Sequence, residues 1–191
     1  MRPASRARPF FRFLALPCLF YLIVDAGCAP QWETAKEPLR QSKWACDKEA
    51  DDLMQRGDIE EAVIRHQKYL EKFPDNALAL YHLGYAYGRM GDHIKEVAFY
   101  NKAVALGLKN EQIYFNLGMA YGESNQPDQA VRAFLMGLEI NPESLDNRFG
   151  LAMAYHQKGA SQKAVEQLKK ILKIDASYSQ AREWLERIEK K

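Results

Sequence analysis

The stretch Leu80-Tyr81-His82-Leu83-Gly84-Tyr85-Ala86-Tyr87 decides how this chain folds, because its pattern returns twice at a fixed interval. Tyr114-x-x-Leu117-Gly118-x-x-Tyr121 begins 34 residues later, and Arg148-x-x-Leu151-Ala152-x-x-Tyr155 another 34 after that. A second set keeps the same interval: Ala62 with His66 and Pro74, Glu96 with Tyr100, Ala130 with Phe134 and Pro142, and Ala164 with Leu168. Turn-forming residues fall between the two sets at Gly57-Asp58, Gly91-Asp92, Gln126-Pro127-Asp128 and Gly159-Ala160. No insertion breaks the register from Lys43 to Tyr178, a span of 136 residues. Self-similarity at such a period marks a stack of small supersecondary units.

Leu80, Leu83, Gly84 and Tyr87 fall at i, i+3, i+4 and i+7, one stripe of a 3.6-residue helix. Gly84, Gly118 and Ala152 are small where a partner helix must press closely, and Ala62, Ala130 and Ala164 give the same clearance from the other side. A single helix pair cannot bury its own apolar face, so each unit depends on its neighbours. The end of such an array needs a lid with a polar outer side. Residues 179–191 supply one, with Ala181, Trp184, Leu185 and Ile188 on one stripe and charged side chains elsewhere.

These motifs resemble the tetratricopeptide repeat (TPR) family. The resemblance implies an all-α protein: a right-handed α-solenoid of four helix-turn-helix units (43–76, 77–110, 111–144 and 145–178) and a C-terminal capping helix over 179–191. The first copy departs most from the family pattern, with Cys46, Glu49 and Leu53 where an aromatic, Leu and Tyr are expected. Glu96 replaces the small residue of the second copy and is expected to spread the helices or turn its carboxylate outward.

A second stripe, one residue along each first helix, reads Tyr81, Tyr85, Gly88; Phe115, Met119, Gly122; and Phe149, Met153, His156. In TPR arrays these places line the concave groove that holds a partner segment. Arg89, Asn116, Glu123 and Gln157 are placed to form its polar rim, and Asp47 and Asp51 with Met54 make its first end acidic. Some family members grip a peptide's terminal carboxylate with Lys and Asn at places where this chain has Tyr81, Phe115, Phe149 and Tyr85, Met119, Met153, so that clamp is missing. Aromatics and flexible methionines suit an apolar helix or extended segment instead. Two other readings stay open: the stripe is inter-repeat core, or the tether or end helix fills it.

No HExxH, CxxC, GxSxG or phosphate-loop motif occurs, so neither enzymatic activity nor a cofactor nor a metal is expected. The histidines His66, His82, His93 and His156 are scattered along the chain, and His66 holds a packing place. The paired acids Asp51-Asp52 and Glu60-Glu61 are expected on solvated faces. Of the 191 residues, 27 are basic and 25 acidic, but residues 28–191 carry 23 basic against 24 acidic side chains. That balance argues against nucleic acid, whose binding needs a basic surface.

Arg2, Arg6, Arg8 and Arg12 precede the apolar run 13–24, and the small residues Ala26 and Gly27 follow. That order is a secretory signal over 1–27, with an apolar run too short to span a bilayer. Ala26-Gly27-Cys28 resembles a bacterial lipoprotein box, although Asp25 stands where an apolar residue is usual. The resemblance implies lipidation of Cys28, a tether over 28–42, and a place at the outer membrane facing the periplasm, with the lipid as the membrane contact. The alternative is ordinary cleavage after Ala26, leaving Cys28 free to pair with Cys46. The expected function is a non-enzymatic adaptor of the bacterial cell envelope. It binds an apolar partner segment and assists assembly of an outer-membrane or pilus complex. The alternative is a soluble periplasmic or secreted module that acts mainly through self-association into a homo-oligomer.

Overall fold

The computed structural model describes residues 47–190, all within the unit 37–191. The expectations for the signal, Cys28, the tether and Cys46 lie outside the described residues. Within them the chain is all helix. The helices are α1 (Lys48–Arg56), α2 (Ile59–Lys72), α3 (Ala77–Arg89), α4 (His93–Ala105), α5 (Glu111–Glu123), α6 (Pro127–Ile140), α7 (Leu145–Gln157), α8 (Ser161–Ile174) and α9 (Ser179–Glu189). None of these is long and apolar enough to cross a membrane.

The helix starts keep the sequence period. α3, α5, α7 and α9 begin at 77, 111, 145 and 179, and α2, α4, α6 and α8 at 59, 93, 127 and 161, always 34 apart. The caps repeat too. Asn76, Asn110 and Ser144 precede the first helices and accept from the N–H of Ala79 (2.7 Å), Ile113 (2.9 Å) and Asn147 (3.3 Å). Each bond satisfies one of the amides that a helix start leaves without a partner.

Between the helices of each pair, one residue takes the left-handed conformation: Gly57, Gly91, Asn125 and Gly159. Glycine adopts it without steric cost, and asparagine is among the few side chains that tolerate it. In the third pair the left-handed residue is therefore Asn125, one position before the Gln126-Pro127-Asp128 turn signal.

Each helix packs on its neighbours in sequence, and first helices also meet, α3 with α5 and α5 with α7. The array is an all-α solenoid in which one core runs on from pair to pair. Its fixed points are ring-on-glycine contacts. A Cβ on Gly84 would stand 2.6 Å from the Tyr100 ring, and one on Gly118 2.5 Å from the Phe134 ring. Gly150 of the following pair meets Phe134 as well, so that ring is held between two glycines. At the far end α9 lays Ala181 on Ala152, Leu168 and Ile171, with Trp184, Leu185 and Ile188 half-buried around them.

Glu96 behaves in neither expected way. It is only 8% exposed, and its Oε2 stands 2.8 Å from His93 Nδ1. Gly88 opposite makes the room, since a Cβ there would lie 2.5 Å from the carboxylate. Burial raises the Glu96 pKa, and the hydrogen bond to His93 opposes that rise.

Candidate functional site: two hollows along the first helices

The face formed by the first helices carries two hollows. The larger, about 640 Å³, lies over α5 and α7 and is walled by α9. Phe115, Met119, Phe149, Met153 and His156 line it, over a floor of Gly118 and Gly150. Its volume is within the range of ordinary ligand pockets. These side chains differ in how far they are covered. Phe115 is half-buried against Phe134, with ring centroids 6.1 Å apart, whereas Met119 is 44% exposed.

Tyr178 and Trp184, from α9 and the residue before it, complete this hollow. Tyr178 lies 5.8 Å from the Phe149 ring, and Trp184 sits edge-on to His156 at 5.5 Å. The end helix thus forms a wall of the hollow without filling it. Trp184 was legible as a lid residue by its place on the apolar stripe. Its second role follows from α9 starting in phase with the first helices, which carries its side chains to the same face.

Tyr81 and Tyr85 lie apart from this group, in a smaller hollow of about 370 Å³ with Asp51, Met54, Gln55 and His82. Tyr85 is 42% exposed, with the Arg89 guanidinium 6.0 Å from its ring centre. Between the hollows, Asn116 Nδ2 donates to the Tyr81 hydroxyl at 3.0 Å, and Asn116 Oδ1 accepts from Gln112 at 2.9 Å. Asn116 is therefore a strut between α3 and α5 rather than a free rim group. Gln157 is likewise engaged, donating to the Gly122 carbonyl at 3.2 Å.

The first end of the face is less acidic than the sequence implied. Asp47 caps α1, accepting from the N–H of Glu49 at 3.1 Å and Ala50 at 3.3 Å, and pairs with Arg65 at 3.3 Å. Asp51 turns inward, away from the solvated placement expected for it. Its Oδ1 lies 2.7 Å from His82 Nδ1 and 3.7 Å from His66 Nε2. Two of the four histidines therefore meet, with ring centroids 5.3 Å apart. Donor atoms of Asp51, His66 and His82 all lie within 4.8 Å of one another, a set able to hold a metal ion. The spacing along the sequence does not show this trio, because the three residues come from α1, α2 and α3. Only the stacking of these helices brings them together.

Burial lowers the His66 pKa to about 4, helped by the charge of His82 and opposed by Asp51 and Asp47. Burial also lowers that of His82, against the pull of Asp51. Both rings are therefore neutral near pH 7 and keep a lone pair for a cation.

Comparison with known proteins accords with this architecture. Three models described as TPR or tetratricopeptide repeat match residues 50–91, 77–106 and 124–188. Together they reach across more than half of the sequence, and the chain belongs to the tetratricopeptide repeat family. Among solved structures, that of MamA superposes with a TM-score of 0.70 at 24% identity, covering 73% of this chain and 81% of that one. YrrB, described as a TPR protein with an unusual peptide-binding site, gives 0.67 at 22%, covering 79% and 76%. The first TPR domain of Spaghetti (RPAP3), bound to the HSP90 peptide SRMEEVD, gives 0.57 at 18%, covering 60% and 90%. No curated protein sequence matches the chain.

Proposed function

We propose that this chain is a non-enzymatic protein-interaction adaptor that takes an apolar partner segment into the larger hollow. The observation that carries the reading is the hollow itself, where exposed Met119 and half-buried Phe115, Phe149 and Met153 meet over a glycine floor. Methionine and aromatic side chains offer large contact area and adapt to irregular apolar surfaces. The peptide-bound and peptide-binding descriptions of two structural neighbours support the same use of the fold. The amino-terminal pattern up to Cys28 supports an envelope location, with a lipid holding the chain at the outer membrane. Assistance in assembling an envelope complex is the role that fits both.

Met119→Glu places a charge in the hollow at a solvent-exposed position, so the fold is expected to survive while partner capture falls by more than about tenfold. Ile64→Glu, at a position 65% exposed on α2, is the control and should retain capture. Equal recovery of the same partner by both variants would refute the groove. The mass of the mature amino terminus tests the anchor, because an unmodified start at Gly27 removes the lipid from the account.

Self-association is the second reading. It is supported by Leu135, Met136 and Ile140, which α6 leaves exposed. A monomer mass by sedimentation that stays constant with concentration would exclude it.

A further inference from the structure

We propose that Asp51, His66 and His82 form a binding site for a divalent transition-metal ion of the Zn2+ class, one ligand from each of the first three helices. The donor set is two imidazoles and a carboxylate, a combination borderline cations take readily. Ligands at about 2.0–2.2 Å from a tetrahedral zinc stand about 3.3 Å apart. The observed separations of 2.7 Å and 3.7 Å from Asp51 Oδ1 straddle that value. All three donor atoms lie within 4.8 Å of one another, so the two imidazoles draw together by side-chain rotation to seat an ion.

The second observation is independent of this geometry. His66 is fully buried, yet neither of its ring nitrogens has a hydrogen-bond partner in the structure. His82 Nδ1 and Asp51 Oδ1 approach to 2.7 Å, so the group left without a partner is the buried His66 ring beside them. A buried polar atom left unpaired is destabilising, and folded proteins rarely leave one so. One cation among the three gives His66 Nε2 a partner and shares Asp51 Oδ1 and His82 Nδ1 with it.

The site also has an entrance. Asp51 and His82 line the smaller hollow, so an ion arrives from solvent and retains an open position on that side. The places one period on hold Tyr85, Tyr100 and Asn116, so the donor set belongs to the first interface. A bound ion there clips α1 to α2 and α3.

Zn2+ titrated into the full chain by calorimetry is expected to bind at one ion per chain and to raise the melting temperature. Asp51→Asn and His82→Asn, each checked for helical content, are expected to weaken binding by more than about a hundredfold, beyond the loss typical of an outer-shell partner. Two readouts on the unaltered chain keep the test independent of the variants. Imidazole resonances of His66 and His82 should shift with one equivalent of Zn2+, and Co2+ should give a tetrahedral spectrum without a sulfur charge-transfer band. Absence of stoichiometric binding would overturn the site. So would shifts confined to His93 and His156, or a thiolate band placing the ion at a cysteine.

Discussion

Burial holds the His66 ring neutral, and that ties stability to pH at a single side chain. An unfolded histidine takes up a proton near pH 6.5, whereas the folded ring resists until about pH 4. The unfolded state therefore binds more protons between these limits, and stability falls as pH drops through that window. His82, on α3, shifts in the same direction, while Asp51 and Asp47, on and beside α1, oppose the effect at His66. In the absence of metal the urea midpoint should fall between pH 7 and pH 5. His66→Leu, which installs the residue found three periods on at Leu168, should flatten that dependence.

At this scale the sequence was partly readable. Gly84 and Gly118 stand out because they recur at the period and must face a large ring. Gly150 does not, since its periodic partners are His82 and Asn116. Its smallness serves Phe134, a ring that leans toward the next pair, and no spacing rule encodes that lean.

At the scale of the element, the period fixes where helices begin, and a short list of caps starts them. Asn110 accepts from Ile113 N–H at 2.9 Å at the head of α5. Asn110→Ala should cost about 1 kcal/mol, read as a lower urea midpoint at unchanged slope, within the usual range for a lost N-cap. The stripes that separate core from groove were harder to read. A half-buried aromatic such as Phe115 serves both faces, and hydrophobic periodicity reports only that a residue is apolar. Asp51 shows the opposite difficulty. A carboxylate on a helix reads as solvated, and only the arrival of His82 from α3 gives it an inward partner.

Across the whole molecule, α9 closes the core. Ala181 packs with Ala152, Leu168 and Ile171, and Trp184, Leu185 and Ile188 pack against that cluster. Ending the chain after Tyr178 should expose this surface and also remove the Trp184 wall of the larger hollow. The truncated protein is expected to melt at lower temperature and to aggregate, as uncapped repeat arrays do. Light scattering during a thermal ramp would check it, and a truncated chain as stable and soluble as the parent would contradict the capping role. The solenoid class was legible in full from 34-residue spacing, because a repeat is visible without knowing any contact. The division of the long face into two hollows was not, since it depends on the Tyr81–Asn116 bond and on how far the last helix reaches.

Phe134 belongs to two structural units at once, gripped from one side by Gly118 and from the other by Gly150. Neither unit can loosen without taking contacts from the ring, so their amides should lose deuterium protection in step. A chain assembled from near-independent links thereby acquires a stiff middle, and the larger hollow rests directly on it.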